Sequence, residues 1–217
     1  MNEQKKTARV AGLLYLAFIV LGMFSVMYVD EALAVTGDAA ATIENSRANL
    51  PLYRVGLAAF IAGYVCFVFI AIALRKLFKS VNNGMTIIMI TFVLAGTAIV
   101  VAGKLAQLYA VVSSSDALMA FYSNCDTAAT IFWGLWLLPL GLLIMKSNLI
   151  PKAIGGSLLA AGASNLIHFA LTVISPVVLT AAEPALYAIG MIGEFAFVAW
   201  LLIKGVKTAS GSGEMSQ

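Results

Sequence analysis

One histidine, one deep glutamate and one lysine are the residues whose chemistry stands out in this sequence. Glu194 sits near the middle of the apolar run at residues 186–204, His168 within the run at 153–174, and Lys104 within the run at 85–109. An ionisable side chain inside so apolar a segment is costly and marks a candidate functional site. Glu194 is too short to reach the end of its segment. It is accommodated as the neutral acid or against a cation such as Lys104 or His168. Further polar residues share helix faces with these three. Thr97, Lys104 and Gln107 fall on one face of a helix, Asn165, His168 and Thr172 on another, and Tyr187, Gly190 and Glu194 on a third. Arg54 and Asp126 fall at the rim. The arrangement predicts a shallow, outward-facing polar pocket that binds a small molecule or a lipid, in a binding protein or a transporter, with Glu194 as its floor and Tyr187, His168, Asn165, Gln107 and Lys104 as contacts.

Each of these residues also has a plain packing role. The lysine stem is long enough to snorkel to the headgroups. A histidine between helices commonly serves as a hydrogen-bonded packing residue. Catalytic and metal chemistry find little support. The chain has a single histidine, whereas zinc sites take three or four protein ligands. Neither GxSxG nor HExxH occurs. No metal site and no cofactor motif is legible, and the two cysteines, Cys66 and Cys125, lie at different expected depths and are read as unbonded.

The elements that must position these groups follow from composition. Of the 217 residues, 62% are hydrophobic and 11% charged, against roughly 45–50% and about 25% in soluble domains. Such a chain requires lipid as its solvent, and its runs of about 20 apolar residues suit helices rather than barrel strands. The prediction is an all-α polytopic membrane bundle of six transmembrane helices, at about residues 10–29, 52–74, 85–109, 127–145, 153–174 and 186–204. They form one transmembrane domain over residues 10–207, between a polar N-terminus at 1–9 and a disordered Ser/Gly-rich tail at 208–217. The first run exceeds the apolar core of a signal peptide, so it is read as an uncleaved helix.

Loop signals are clear. Residues 30–50 form the longest polar stretch, where Asp38 caps a short helix at 39–45 that rests at the membrane surface. Residues 113–126 read as a polar loop, with Asp126 as the N-cap of the next span. Pro176 and Pro184 bracket another loop, and Pro139 kinks the fourth span. Lys5, Lys6, Arg9, Arg75, Lys76, Lys79, Lys146, Lys152, Lys204 and Lys207 fall on one side, with only Arg47 and Arg54 on the other. That bias places both termini in the cytoplasm. The small net charge of +3 reflects these loops and gives no sign of nucleic-acid binding. Glycines recur seven residues apart in four spans (Gly56/Gly63, Gly96/Gly103, Gly134/Gly141, Gly155/Gly162), which predicts close helix packing within one bundle, with a dimer interface as the alternative. The oligomeric state is left open.

Four stretches resemble a known family: Ala8-Arg9-Val10-Ala11-Gly12-Leu13-Leu14-Tyr15-Leu16, Gly37-Asp38-Ala39-Ala40-Ala41-Thr42, Leu149-Ile150-Pro151-Lys152-Ala153-Ile154-Gly155, and Gly193-Glu194-Phe195-Ala196 through to Gly205. They are similar to the bacterial membrane family called domain of unknown function 4386. The resemblance implies six transmembrane helices and a bacterial inner membrane, and it supplies no catalytic residues. Surrounding lipid is the expected partner, together with a small-molecule ligand. A non-catalytic scaffold or stress-response subunit and a membrane-embedded enzyme are the alternative functions.

Overall fold

The computed structural model describes residues 3–206. Seven helices account for nearly all of them. We label them α1 (Glu3–Leu33), α2 (Ala39–Ala48), α3 (Leu50–Phe78), α4 (Asn83–Ser113), α5 (Asp116–Lys146), α6 (Lys152–Ile174) and α7 (Pro176–Ile203). All but α2 are long and apolar enough to cross a membrane, and no strand occurs among the described residues. The tail expected at 208–217 lies outside the described residues.

The helix ends are set by local chemistry. The Asn82 side chain accepts from the Met85 amide at 2.9 Å and starts α4, and Asp38 does the same for Ala41 at the start of α2. Pro51 and Pro176 occupy the first turns of α3 and α7, where a missing N–H costs nothing. Ser114 ends α4 in the left-handed region at φ 54°.

Several boundaries differ from the sequence reading, because the helices run on past the apolar runs; α1 already begins at Glu3, through Lys5, Lys6 and Arg9. α1 does not stop at 29. Its last part, Met23–Asp30, is a π-helix that leads into a final α-turn, Glu31–Leu33. The stretch 113–126 is not a loop, since α5 starts at Asp116 with Ser115 as its cap, so Asp126 lies within the helix. The stretch between Pro176 and Pro184 is also helical, with Pro184 inside α7. Helical hydrogen bonding is satisfied within each segment, so a polar residue or a first-turn proline beyond an apolar run does not end the helix. The short helix α2 reaches Ala48 and is tied to the bundle. Arg47 donates to the carbonyls of Val111 (2.8 Å) and Val112 (3.0 Å) and to the Ser114 hydroxyl (2.6 Å), all at the end of α4. A cation there also meets the negative end of the helix dipole.

The six long helices form a ring in which each packs on its neighbours in sequence and α7 closes against α1. Glycines set the close approaches. A Cβ on Gly141 would stand 2.8 Å from the Gly155 carbonyl oxygen, and one on Gly134 2.9 Å from that of Gly162, so α5 and α6 touch backbone to backbone. Gly103 faces Cys125 across α4 and α5, and Gly56 faces Val29 across α3 and α1. The repeated glycines therefore act within the bundle. The main apolar core gathers toward the end that carries the basic loops, around Leu74, Leu77, Phe78, Leu140, Ile144 and Leu201. The opposite end holds the acidic residues and is the more open. Cys66 and Cys125 are both free thiols.

Candidate functional site

The polar residues singled out in the sequence separate into two centres. The first forms around Glu194. The Tyr15 hydroxyl of α1 donates a hydrogen bond to Glu194 Oε2, which ties the first helix to the last. Tyr15 is 1% exposed, with its ring packed between Trp136 and Phe197. Its phenol therefore has a fixed direction. Beside the pair lies a pocket of about 200 Å³ between α1, α6 and α7. Glu194, Tyr15, Asn165 and Tyr187 supply its polar groups, and Phe18, Ile19, Met191 and Phe195 its apolar walls. Met191 and Phe195 are about half exposed on the outside of the bundle, so the pocket opens sideways rather than outward at the acidic end.

His168 continues this centre along the seam between α6 and α7. Its ring lies 5.2 Å from that of Tyr187. Glu183 Oε1 is 3.5 Å from His168 Nε2, but that approach has no hydrogen-bond geometry, and both ring nitrogens are buried without a partner. The result is a polar track from Glu183 at the acidic end, past His168 and Tyr187, to Asn165 and Glu194. Glu194 is not at the centre of its helix. Because α7 begins at Pro176, the carboxyl lies roughly 27 Å from that end and about 14 Å from Ile203 at the usual rise per residue.

The second centre forms around Lys104, which is fully buried. Its Nζ bonds both carboxylate oxygens of Asp30, at 2.8 and 2.6 Å. The rings of Phe60 and Tyr122 stand 5.2 and 5.3 Å from the same nitrogen, which adds cation–π attraction. Asp126 is within electrostatic reach of the pair. Gln107 lies nearby, and its Oε1 accepts from the Tyr53 hydroxyl at 3.4 Å. Lys104 neither snorkels nor pairs with Glu194. The π-helical stretch of α1 is what brings Asp30 to it, since a π-turn rotates the following residues relative to an α-helix. Arg54 stands exposed in the first turns of α3, outside both centres.

The sequence reading thus brought Glu194, Asn165, Tyr187 and His168 into one place, and the structure separates Lys104 and Gln107 from them. Tyr15 and Asp30 had been missed. Both sit at points where the apolar pattern gives no warning, since a tyrosine passes as an ordinary apolar residue and an aspartate at a run's end reads as loop. The available signal was the cost of burying Lys104, which demands a carboxylate at similar depth on a neighbouring span. Among the described residues no group of three or more His, Cys, Asp or Glu side chains is placed to hold a metal ion.

The family described as Domain of unknown function (DUF4386) matches residues 10–205. No curated protein and no solved structure matches the chain. The match covers nearly the whole sequence, and the chain belongs to that family.

Proposed function

We propose that this member of the DUF4386 family is a multi-pass protein of the bacterial inner (plasma) membrane, with both termini cytoplasmic, that binds a small amphiphilic molecule or a lipid at Glu194. The observation that carries the proposal is a carboxyl, oriented by a buried tyrosine, at the head of a laterally open pocket whose other walls are apolar. An occupant entering from the bilayer would bury its apolar body against Phe18, Met191 and Phe195. Its polar head would hydrogen-bond to Glu194 and Asn165. Few polar groups on otherwise apolar walls is the usual composition of a small-molecule site. The proposal is binding rather than passage, because the core on the basic side of the pocket is closely packed.

The test is mass spectrometry of the molecules that co-purify with the protein and with Glu194→Gln. A bound amphiphile retained by the native protein and reduced about tenfold in the variant is expected, as for loss of a charged or strong hydrogen bond. If Glu194→Gln lowers thermal stability but leaves the co-purifying molecules unchanged, the Tyr15–Glu194 contact is only a structural tie between α1 and α7.

A further inference from the structure

A larger cavity, about 460 Å³, lies at the acidic end and is separate from the Glu194 pocket. Its floor is Asp30, its roof is the face of α2 that carries Ala39, Thr42 and Ser46, and Gln107 and Tyr122 form part of its wall. Two of its largely buried polar side chains keep hydrogen-bonding groups that no protein atom among the described residues uses. Ser46 is 2% exposed and makes no hydrogen bond through its hydroxyl. Gln107 is 6% exposed, its carbonyl is used by Tyr53, and its amide N–H groups have no acceptor among the described residues. Neither group is sealed off from the cavity, so both are open to water or to an occupant.

The charge of the cavity has one sign. Asp30, Glu31 and Asp38 line it, and no lysine or arginine does. Lys104, fully buried, compensates the charge of Asp30, so the net negative charge of the cavity comes from Glu31 and Asp38. Arg47, the nearest cation on α2, spends its guanidinium on the end of α4. The cavity therefore offers negative charge together with donors that are free for an acceptor.

We propose that this cavity is a second binding site, and that it takes a small hydrophilic ammonium compound of the amino-alcohol or amino-sugar class. The ammonium group lies toward Glu31 and Asp38, and the hydroxyl oxygens accept from Gln107 and Ser46. Tyr122 provides an aromatic face on the same wall. The roof helix α2, latched through Arg47, holds Ser46 over the occupant.

The experiment is calorimetric titration of the purified full-length protein in detergent with D-glucosamine, and with D-glucose as the uncharged counterpart. Saturable binding of glucosamine, at least about tenfold tighter than glucose, is expected from a charge-assisted contact. Glu31→Gln, at an exposed position without partners, and Asp38→Asn, which keeps the helix cap, are each expected to weaken glucosamine several-fold while leaving the melting temperature of the free protein unchanged. Glu194→Gln is expected to leave it untouched. Absence of saturable glucosamine binding overturns the site. Equal binding of glucose overturns the ammonium class, and undiminished binding in both carboxylate variants overturns the location.

Discussion

Lys104 and Asp30 illustrate how a charge is held inside an apolar bundle. The lysine alone would carry a large desolvation penalty. Two hydrogen bonds to one carboxylate and two flanking rings offset it. Removing one partner leaves the other uncompensated. Lys104→Met or Asp30→Asn is therefore expected to lower unfolding free energy by about 3–5 kcal/mol, whereas the double variant Lys104→Met/Asp30→Leu recovers most of it. Chemical unfolding of the purified protein in detergent reads both. Two single variants as stable as the native protein would show that the pair carries no weight. The same residues show what a sequence can reveal. Glu194 stood out because its run is apolar on both sides, and Asn165, Tyr187 and His168 followed from helical spacing. Asp30 is hidden because its partner is 74 residues away and the apolar run of its own helix ends one residue earlier.

At the scale of helices, composition settled which segments span and left their ends unsettled. Each apolar run corresponds to a helix, but α1 and α5 extend into polar sequence and α7 begins ten residues early, at Pro176 rather than 186. Helical hydrogen bonding carries on past the lipid so long as no strong breaker intervenes, and neither Pro176 nor Pro184 breaks α7. Sequence spacing did reveal the glycines, whose role depends on what each one faces. Gly141 and Gly155 meet backbone to backbone, while a Cβ on the adjacent Gly156 would meet nothing within 4 Å. Gly141→Ala is expected to destabilise by about 1–3 kcal/mol through overpacking. Gly156→Ala is expected to be neutral or to stabilise by up to about 1 kcal/mol, since glycine disfavours a helix interior. Thermal melts of the two variants in one detergent decide the point, and equal effects would mean that the α5–α6 contact is loose.

At the scale of the whole molecule, the two ends differ in charge and in packing. The basic loops lie at the end where the core is tight, and the acidic residues lie at the end where the cavity opens. The charge bias sets the direction of insertion, so it also decides which compartment each site faces. If the basic end is cytoplasmic, as we propose, the Asp30 cavity faces the external side and the Glu194 pocket faces the bilayer. A cysteine-labelling experiment tests this direction. In a Cys66→Ala/Cys125→Ala background, Glu44→Cys places a thiol on exposed α2 and Ser80→Cys places one in the exposed turn between α3 and α4. A membrane-impermeant maleimide is expected to label Glu44→Cys in cells whose inner membrane is intact and Ser80→Cys only once that membrane is permeabilised. The reverse pattern would invert the molecule. The acidic cavity would then open to the cytoplasm, and a ligand for it would have to be sought among intracellular rather than external ammonium compounds.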